Sequence, residues 1–150
     1  MPQSLASILV HIVFSTKHRQ PLIKPEVEKE LFSYMAGIFR QYESPASTIN
    51  GTDDHVHILC SLSRKMALSD LLEEVKKSSS KWIKTKGAAY KNFYWQNGYG
   101  AFSIGQSGVE ALKKYIATQK EHHRQKTFQD ESREFLQLYN IEYDERYVWD

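Results

Sequence analysis

Cysteine is nearly absent from this 150-residue chain, Cys60 being the only one. A single thiol excludes an internal disulfide framework and any multi-cysteine zinc or iron–sulfur site. Long apolar runs are missing as well. The longest candidate, Ile8 to Phe14, is interrupted by His11 and falls well short of the roughly 20 residues a membrane helix needs. No basic-then-apolar segment opens the chain, so the expectation is a cytoplasmic protein. There is no Gly-x-x-x-x-Gly-Lys phosphate loop, internal repeat, low-complexity stretch or linker. Neither sign of charge dominates: 20 Lys+Arg against 18 Asp+Glu leave a formal net charge of +2.

What is present fits one ordinary domain spanning residues 1–150, with 41% apolar and 25% charged residues, close to globular averages. The charge is unevenly spread. Arg64 to Lys91 holds eight basic and three acidic residues, whereas Asp130 to Asp150 holds seven acidic and two basic. A basic middle permits a polyanion-binding face, although a solvated helix face would look the same.

Periodicity supplies the element order. Residues 5–14 are β-branched and apolar and read as a buried strand. Pro25 fits the first turn of a helix whose apolar stripe runs through Val27, Leu31, Tyr34, Met35, Ile38, Phe39 and Tyr42. Residues 46–51 and 55–62 read as a hairpin, with Asn50-Gly51 and Asp53-Asp54 as turn chemistry. Leu68, Leu71, Leu72, Val75, Trp82 and Ile83 mark a second helix starting near Ser69-Asp70. Residues 93–104 suggest loop and strand together. Ser107 and Glu110 match a capping box ahead of a third helix running to about Arg124, and Asp130 to about Tyr139 predicts a fourth. The order β-α-β-β-α-β-α-α predicts an α+β, ferredoxin-like (split βαβ) antiparallel sheet with two helices on one face. The other face is left to bind something or to be covered by the last helices.

Four constellations could carry chemistry. On a strand, His55 and His57 project from one face about 7 Å apart and can share a divalent cation; on a helix they would splay by about 200°. The alternative is two strand histidines that bind nothing. Tyr115 and Gln119 share a helix face, where a tyrosine hydroxyl can act as a covalent nucleophile and a glutamine carbonyl as a hard ligand; Tyr115 could equally pack on the sheet. His122 and His123 diverge by about 100°, suiting one to packing and the other to a phosphate. The Trp95–Phe102 stretch, Trp-Gln-Asn-Gly-Tyr-Gly-Ala-Phe, could stack on unpaired bases or form a tight aromatic turn.

Together and in this order, these features resemble the single-tyrosine HUH transposases of the insertion-sequence type (TnpA-like, with the REP-associated tyrosine transposases in the same superfamily). The matching segments are His11-Ile-Val-Phe-Ser-Thr-Lys17, Asp54-His-Val-His-Ile58, Lys77-Ser-Ser-Ser-Lys-Trp82, the Trp95–Phe102 stretch, Tyr115-Ile-Ala-Thr-Gln119 and His122-His123. The resemblance implies that the C-terminal helices carry a catalytic tyrosine, Tyr115, that attacks a DNA phosphate and keeps a 5′-phosphotyrosine link. It implies His55, His57 and Gln119 as ligands of Mg²⁺ or Mn²⁺. Implied partners are single-stranded DNA with hairpins and a second copy of the chain, in a homodimer whose active sites can be shared between subunits. Charge and aromatic character nominate Lys17, Arg19, Lys76, Lys77, Lys81, Lys84, Trp95 and Tyr99 as DNA contacts. Two alternatives stand beside this expectation: a domesticated palindrome-processing nickase of the same superfamily, and a non-catalytic single-strand-binding module.

Overall fold

The computed structural model describes residues 2–122 and 124–150. β-Branched residues form β1 (Leu9–Ser15), flanked in the sheet by β3 (His55–Ser61) and β4 (Gly100–Ser103), with β2 (Ala46–Gly51) outside β3. The order β2-β3-β1-β4 is antiparallel throughout, as the split βαβ pattern predicts. β1 starts later than residue 5 because its pairing with β3 ends at Leu9↔Ser61; Leu5 beyond it is 88% exposed. Asn50 and Gly51 lie in β2, paired with His57 and Val56, so the turn is confined to residues 52–54.

Alternation along the strands sorts side chains onto two faces. Val10, Ile12 and Phe14 of β1 join Val56, Ile58 and Cys60 of β3 in the main core. Helices α1 (Pro25–Gln41) and α2 (Leu68–Lys84) close that face with Val27, Leu31, Met35, Ile38, Phe39, Leu71, Leu72, Val75 and Ile83. Each such burial contributes on the order of 1.5–3 kcal/mol. Tyr34, part of the predicted stripe, instead stacks on Trp82 at the outer surface of this layer.

The opposite face carries His11, Val13, His55, His57 and Leu59, and the last helices cover it. Val109, Leu112 and Ile116 of α3 (Val109–Ala117) pack on Leu59. Phe128 and Leu136 of α5 (Phe128–Leu138) pack with Val13 and Phe102. The predicted single helix to Arg124 breaks at Thr118, whose hydroxyl bonds back to the Lys114 and Tyr115 carbonyls; the short α4 (Gln119–His122) follows. Such back-bonding competes with helix continuation. The capping box does not form: Ser107 sits inside a 3-10 turn, Gln106–Gly108, and Gly108 occupies the N-cap. The true side-chain cap lies at α5, where Thr127 accepts from the Asp130 amide. Among the described residues no helix is long and apolar enough to cross a membrane.

Candidate active site

The hairpin turn sets the first histidine. Gly51 is so close to β3 that an added Cβ would stand 2.1 Å from the His55 carbonyl oxygen, a backbone approach only glycine permits. Beyond the turn, Thr52 and Asp54 fold onto His55: its Nδ1 donates to Asp54 Oδ1 at 2.7 Å and lies 2.9 Å from Thr52 Oγ1. The Thr52 hydroxyl donates to the same carboxylate at 3.0 Å. A carboxylate on Nδ1 keeps the proton there and turns Nε2 inward as an acceptor.

His57 is fixed differently. Its Nδ1 lies 2.9 Å from Nε2 of His11, which stacks on it with ring centroids 5.1 Å apart. Burial first, and then the neighbouring His57, pull His11 down to about 3, so it is neutral at any ordinary pH. His55 and His57 are completely buried, with ring centroids 5.2 Å apart.

The tyrosine helix closes over this pair. Gln119 Nε2 donates to the Tyr115 carbonyl at 3.3 Å, which orients Oε1 toward His55 Nε2, also at 3.3 Å. Both atoms are lone-pair donors of the kind a cation takes, His55 through its imidazole nitrogen and Gln119 through its amide oxygen. The Tyr115 ring lies 5.7 Å from that of His57 and stacks on His122 at 4.5 Å. His122 in turn contacts Thr118 Oγ1 at 2.9 Å; His123 lies outside the described residues.

α5 brings a residue that the sequence reading did not single out. Glu131, 2% exposed, places Oε1 at 2.7 Å from His57 Nε2 and 3.9 Å from His55 Nε2, and its Oε2 accepts from the Tyr115 hydroxyl. Burial and then this carboxylate hold the Tyr115 phenol above its ordinary range, against a smaller opposing pull from Gln119. The ligand atoms of His55, His57 and Glu131 all lie within 4.8 Å of one another. With the Gln119 carbonyl, the donor set is two imidazoles, one amide oxygen and one carboxylate, which fits a hard or borderline divalent cation. Asp54 and His11 lie in segments that carry the family resemblance, whereas Glu131 lies in the helix predicted from Asp130 to about Tyr139, with no motif to mark it.

The nominated DNA contacts fall into two groups. Lys17, Lys77 and Lys81 are exposed; Lys84 lies over the Tyr94 ring at 4.2 Å, and Arg19 is half-buried. Tyr99 is 40% exposed, and Tyr94, not singled out before, is 53% exposed. By contrast, Lys76 donates to the carbonyls of Gln96 (3.0 Å), Asn97 (3.2 Å) and Gly98 (2.6 Å), and burial pulls its ammonium down to about 8. Trp95 is buried against Phe14 and Phe93, its Nε1 donating to Ser79 Oγ at 2.9 Å. Both therefore shape the loop from beneath. A groove of about 450 Å³ runs between α2 and this loop, lined in part by Lys77, Ser80, Asn97 and Tyr99.

Known proteins are similar to this chain in sequence or in fold. The ISDra2 transposase TnpA of Deinococcus radiodurans is 23% identical over 114 residues, covering 73% of this chain and 81% of that protein. The crystal structure of a candidate transposase from Deinococcus radiodurans R1 superposes with a TM-score of 0.61 at 18% identity, over 79% of this chain and 98% of that one. A REP-associated tyrosine transposase bound to a REP hairpin superposes with a TM-score of 0.62 at 14% identity, over 82% of this chain and 72% of that one. A sequence model of the family described as "Transposase IS200 like" matches residues 4–119, and this chain belongs to that IS200-like transposase family.

Proposed function

We propose that this transposase cleaves and rejoins single-stranded DNA at hairpins, through a covalent 5′-phosphotyrosine on Tyr115 and with Mg²⁺ or Mn²⁺ held by His55, His57 and Gln119. The observation that carries this reading is the convergence of the Tyr115 hydroxyl with both histidines and Gln119 in one buried cluster. The bound cation supplies polarisation of the scissile phosphate.

The remaining chemistry belongs to the chain. Tyr115 Oη attacks phosphorus as its proton leaves, the bond from phosphorus to the 3′-oxygen breaks, and that oxygen departs as a hydroxyl. A second strand's 3′-hydroxyl then attacks the phosphotyrosine, and Tyr115 recovers its proton. One phosphoester is made for each one broken, so no ATP is required. Asp54 keeps the His55 ring in one tautomer, and His122 supports the tyrosine ring from behind. Lys17, Arg19, Lys77, Lys81 and Lys84 hold phosphates, while Tyr99 offers a face to an unpaired base over a loop built on Lys76 and Trp95. A homodimer acting in the cytoplasm is part of this reading.

The test uses single-stranded oligonucleotides copied from the DNA flanking the gene, with Mg²⁺ or Mn²⁺, and a denaturing gel. A covalent protein–DNA band that needs the cation and vanishes in Tyr115→Phe is expected. A band that persists in Tyr115→Phe sinks the nucleophile, and tight hairpin binding with no band points to a non-catalytic binding module. The fold shared with a transposase bound to a REP hairpin favours one second reading, a domesticated enzyme acting on genomic palindromes. Palindromes scattered through the genome would support it, and matching hairpins on both sides of the gene would count against it.

A further inference from the structure

The family match ends at Gln119, yet the buried cluster does not. α5, beyond that match, inserts Glu131 between the histidines and the tyrosine. We propose that Glu131 is a cation ligand and the tether of the nucleophile at once: Oε1 joins His55 Nε2, His57 Nε2 and Gln119 Oε1, while Oε2 holds the Tyr115 hydroxyl. This inference rests on reading the cluster as a cation-dependent DNA-cleaving centre.

Three observations carry it. First, burial. Phe128, Glu131 and Phe135 share one face of α5, and the flanking phenylalanines pack against His55 and His11 respectively. A carboxylate at the middle position, 2% exposed, carries a desolvation cost that an apolar residue would avoid, and hydrogen bonds together with a cation offset it. Second, convergence. Its ligand atom lies within 4.8 Å of those of both histidines, and the remaining oxygen reaches the reacting hydroxyl. Third, charge. His55, His57 and Gln119 supply neutral donors, whereas Mg²⁺ and Mn²⁺ favour anionic oxygen. One carboxylate spanning both groups ties the orientation of Tyr115 to occupancy of the cation site.

α5 is seated independently of Glu131, so the residue can be changed with the helix in place. Thr127 caps it, Phe128 and Leu136 bury it, and Arg133 bridges Glu145 at 2.7 Å and Asp130 at 3.0 Å.

The experiment is a Mn²⁺ titration of the metal-free protein, followed by electron paramagnetic resonance of free Mn²⁺. The near-isosteric Glu131→Gln should bind Mn²⁺ more weakly by about tenfold or more, whereas Tyr115→Phe, which removes no ligand and only frees Oε2, should change the affinity far less. Substituting Co²⁺ adds a reading independent of affinity: its visible spectrum should change in Glu131→Gln. Equal or tighter Mn²⁺ binding in Glu131→Gln, or an unchanged Co²⁺ spectrum, would overturn the assignment and make the carboxylate a plug that a cation displaces. Covalent-adduct formation with Glu131-independent Mn²⁺ binding would refute the ligand role alone. Glu131-dependent Mn²⁺ binding without any adduct would refute the nucleic-acid chemistry and leave the ligand role standing.

Discussion

At the scale of single residues, the site is governed by which nitrogen of each imidazole faces inward. Asp54 decides this for His55, since a carboxylate 2.7 Å from Nδ1 stabilises the tautomer whose Nε2 lone pair points at Gln119. Removing it frees the ring to rotate and to exchange tautomers. Asp54→Ala should therefore weaken Mn²⁺ binding by about 10- to 100-fold while leaving hairpin affinity nearly unchanged, because the nominated phosphate contacts lie elsewhere. Titration of Mn²⁺ beside a hairpin-binding isotherm checks both halves; unchanged Mn²⁺ affinity would mean that the hydrogen bond does not set the ring. Residues of this kind differ in legibility. His55 and His57 could be read from sequence because a strand's period of two puts them on one face whatever surrounds them. Glu131 could not, because an acid in a charged C-terminal segment reads as solvated until the helix packs and sets it against His57, 74 positions away.

At the scale of elements, the register of the β2–β3 hairpin positions the edge that carries His55 and His57. Gly51 pairs with Val56 and brings the strands so close that a side chain at 51 would collide with the His55 and Val56 backbone. Backbone on both sides leaves no flexible side-chain end to yield. Gly51→Ala should cost about 1–3 kcal/mol of stability, the range for forced overpacking, and should lower Mn²⁺ affinity by shifting His55. Urea denaturation with the Mn²⁺ titration tests this, and a stable variant with normal affinity would show that the hairpin accommodates a methyl group. The hairpin itself was legible from its turn residues and alternating apolar run. Its tight point was misassigned to the turn, because Asn50-Gly51 carries the same chemistry in a strand end as in a loop. Likewise, the capping-box pattern at Ser107 and Glu110 predicts one helix through Arg124; the break at Thr118 depends on a hydroxyl choosing its own helix's carbonyls, which neither a capping pattern nor periodicity registers.

At the scale of the whole molecule, the question is whether one chain suffices. The family resemblance implies a homodimer in which one subunit's tyrosine helix can complete its partner's histidine pair. In this chain Tyr115 lies over its own His57, joined to it through Glu131 of the same chain. α5 reinforces that arrangement, because its buried face packs on the same sheet that carries the histidines. Exchanging the tyrosine between subunits would require breaking the Tyr115–Glu131 bond, or moving α5 along with α3 and uncovering Val13 and Phe102. The first leaves a buried carboxylate without its hydroxyl partner, and the second requires both helices to be exchanged together so that each sheet is covered again by its partner's α5. Mixing His57→Ala chains with Tyr115→Phe chains therefore discriminates between the two arrangements. A shared site would restore covalent adduct in the mixture, since one composite centre would contain an intact histidine pair and an intact tyrosine. A self-contained site restores none, because every centre then lacks one or the other. No restoration is the expected result on a denaturing gel after co-refolding the two variants, and adduct well above the level of either variant alone would show that the tyrosine helix crosses between chains.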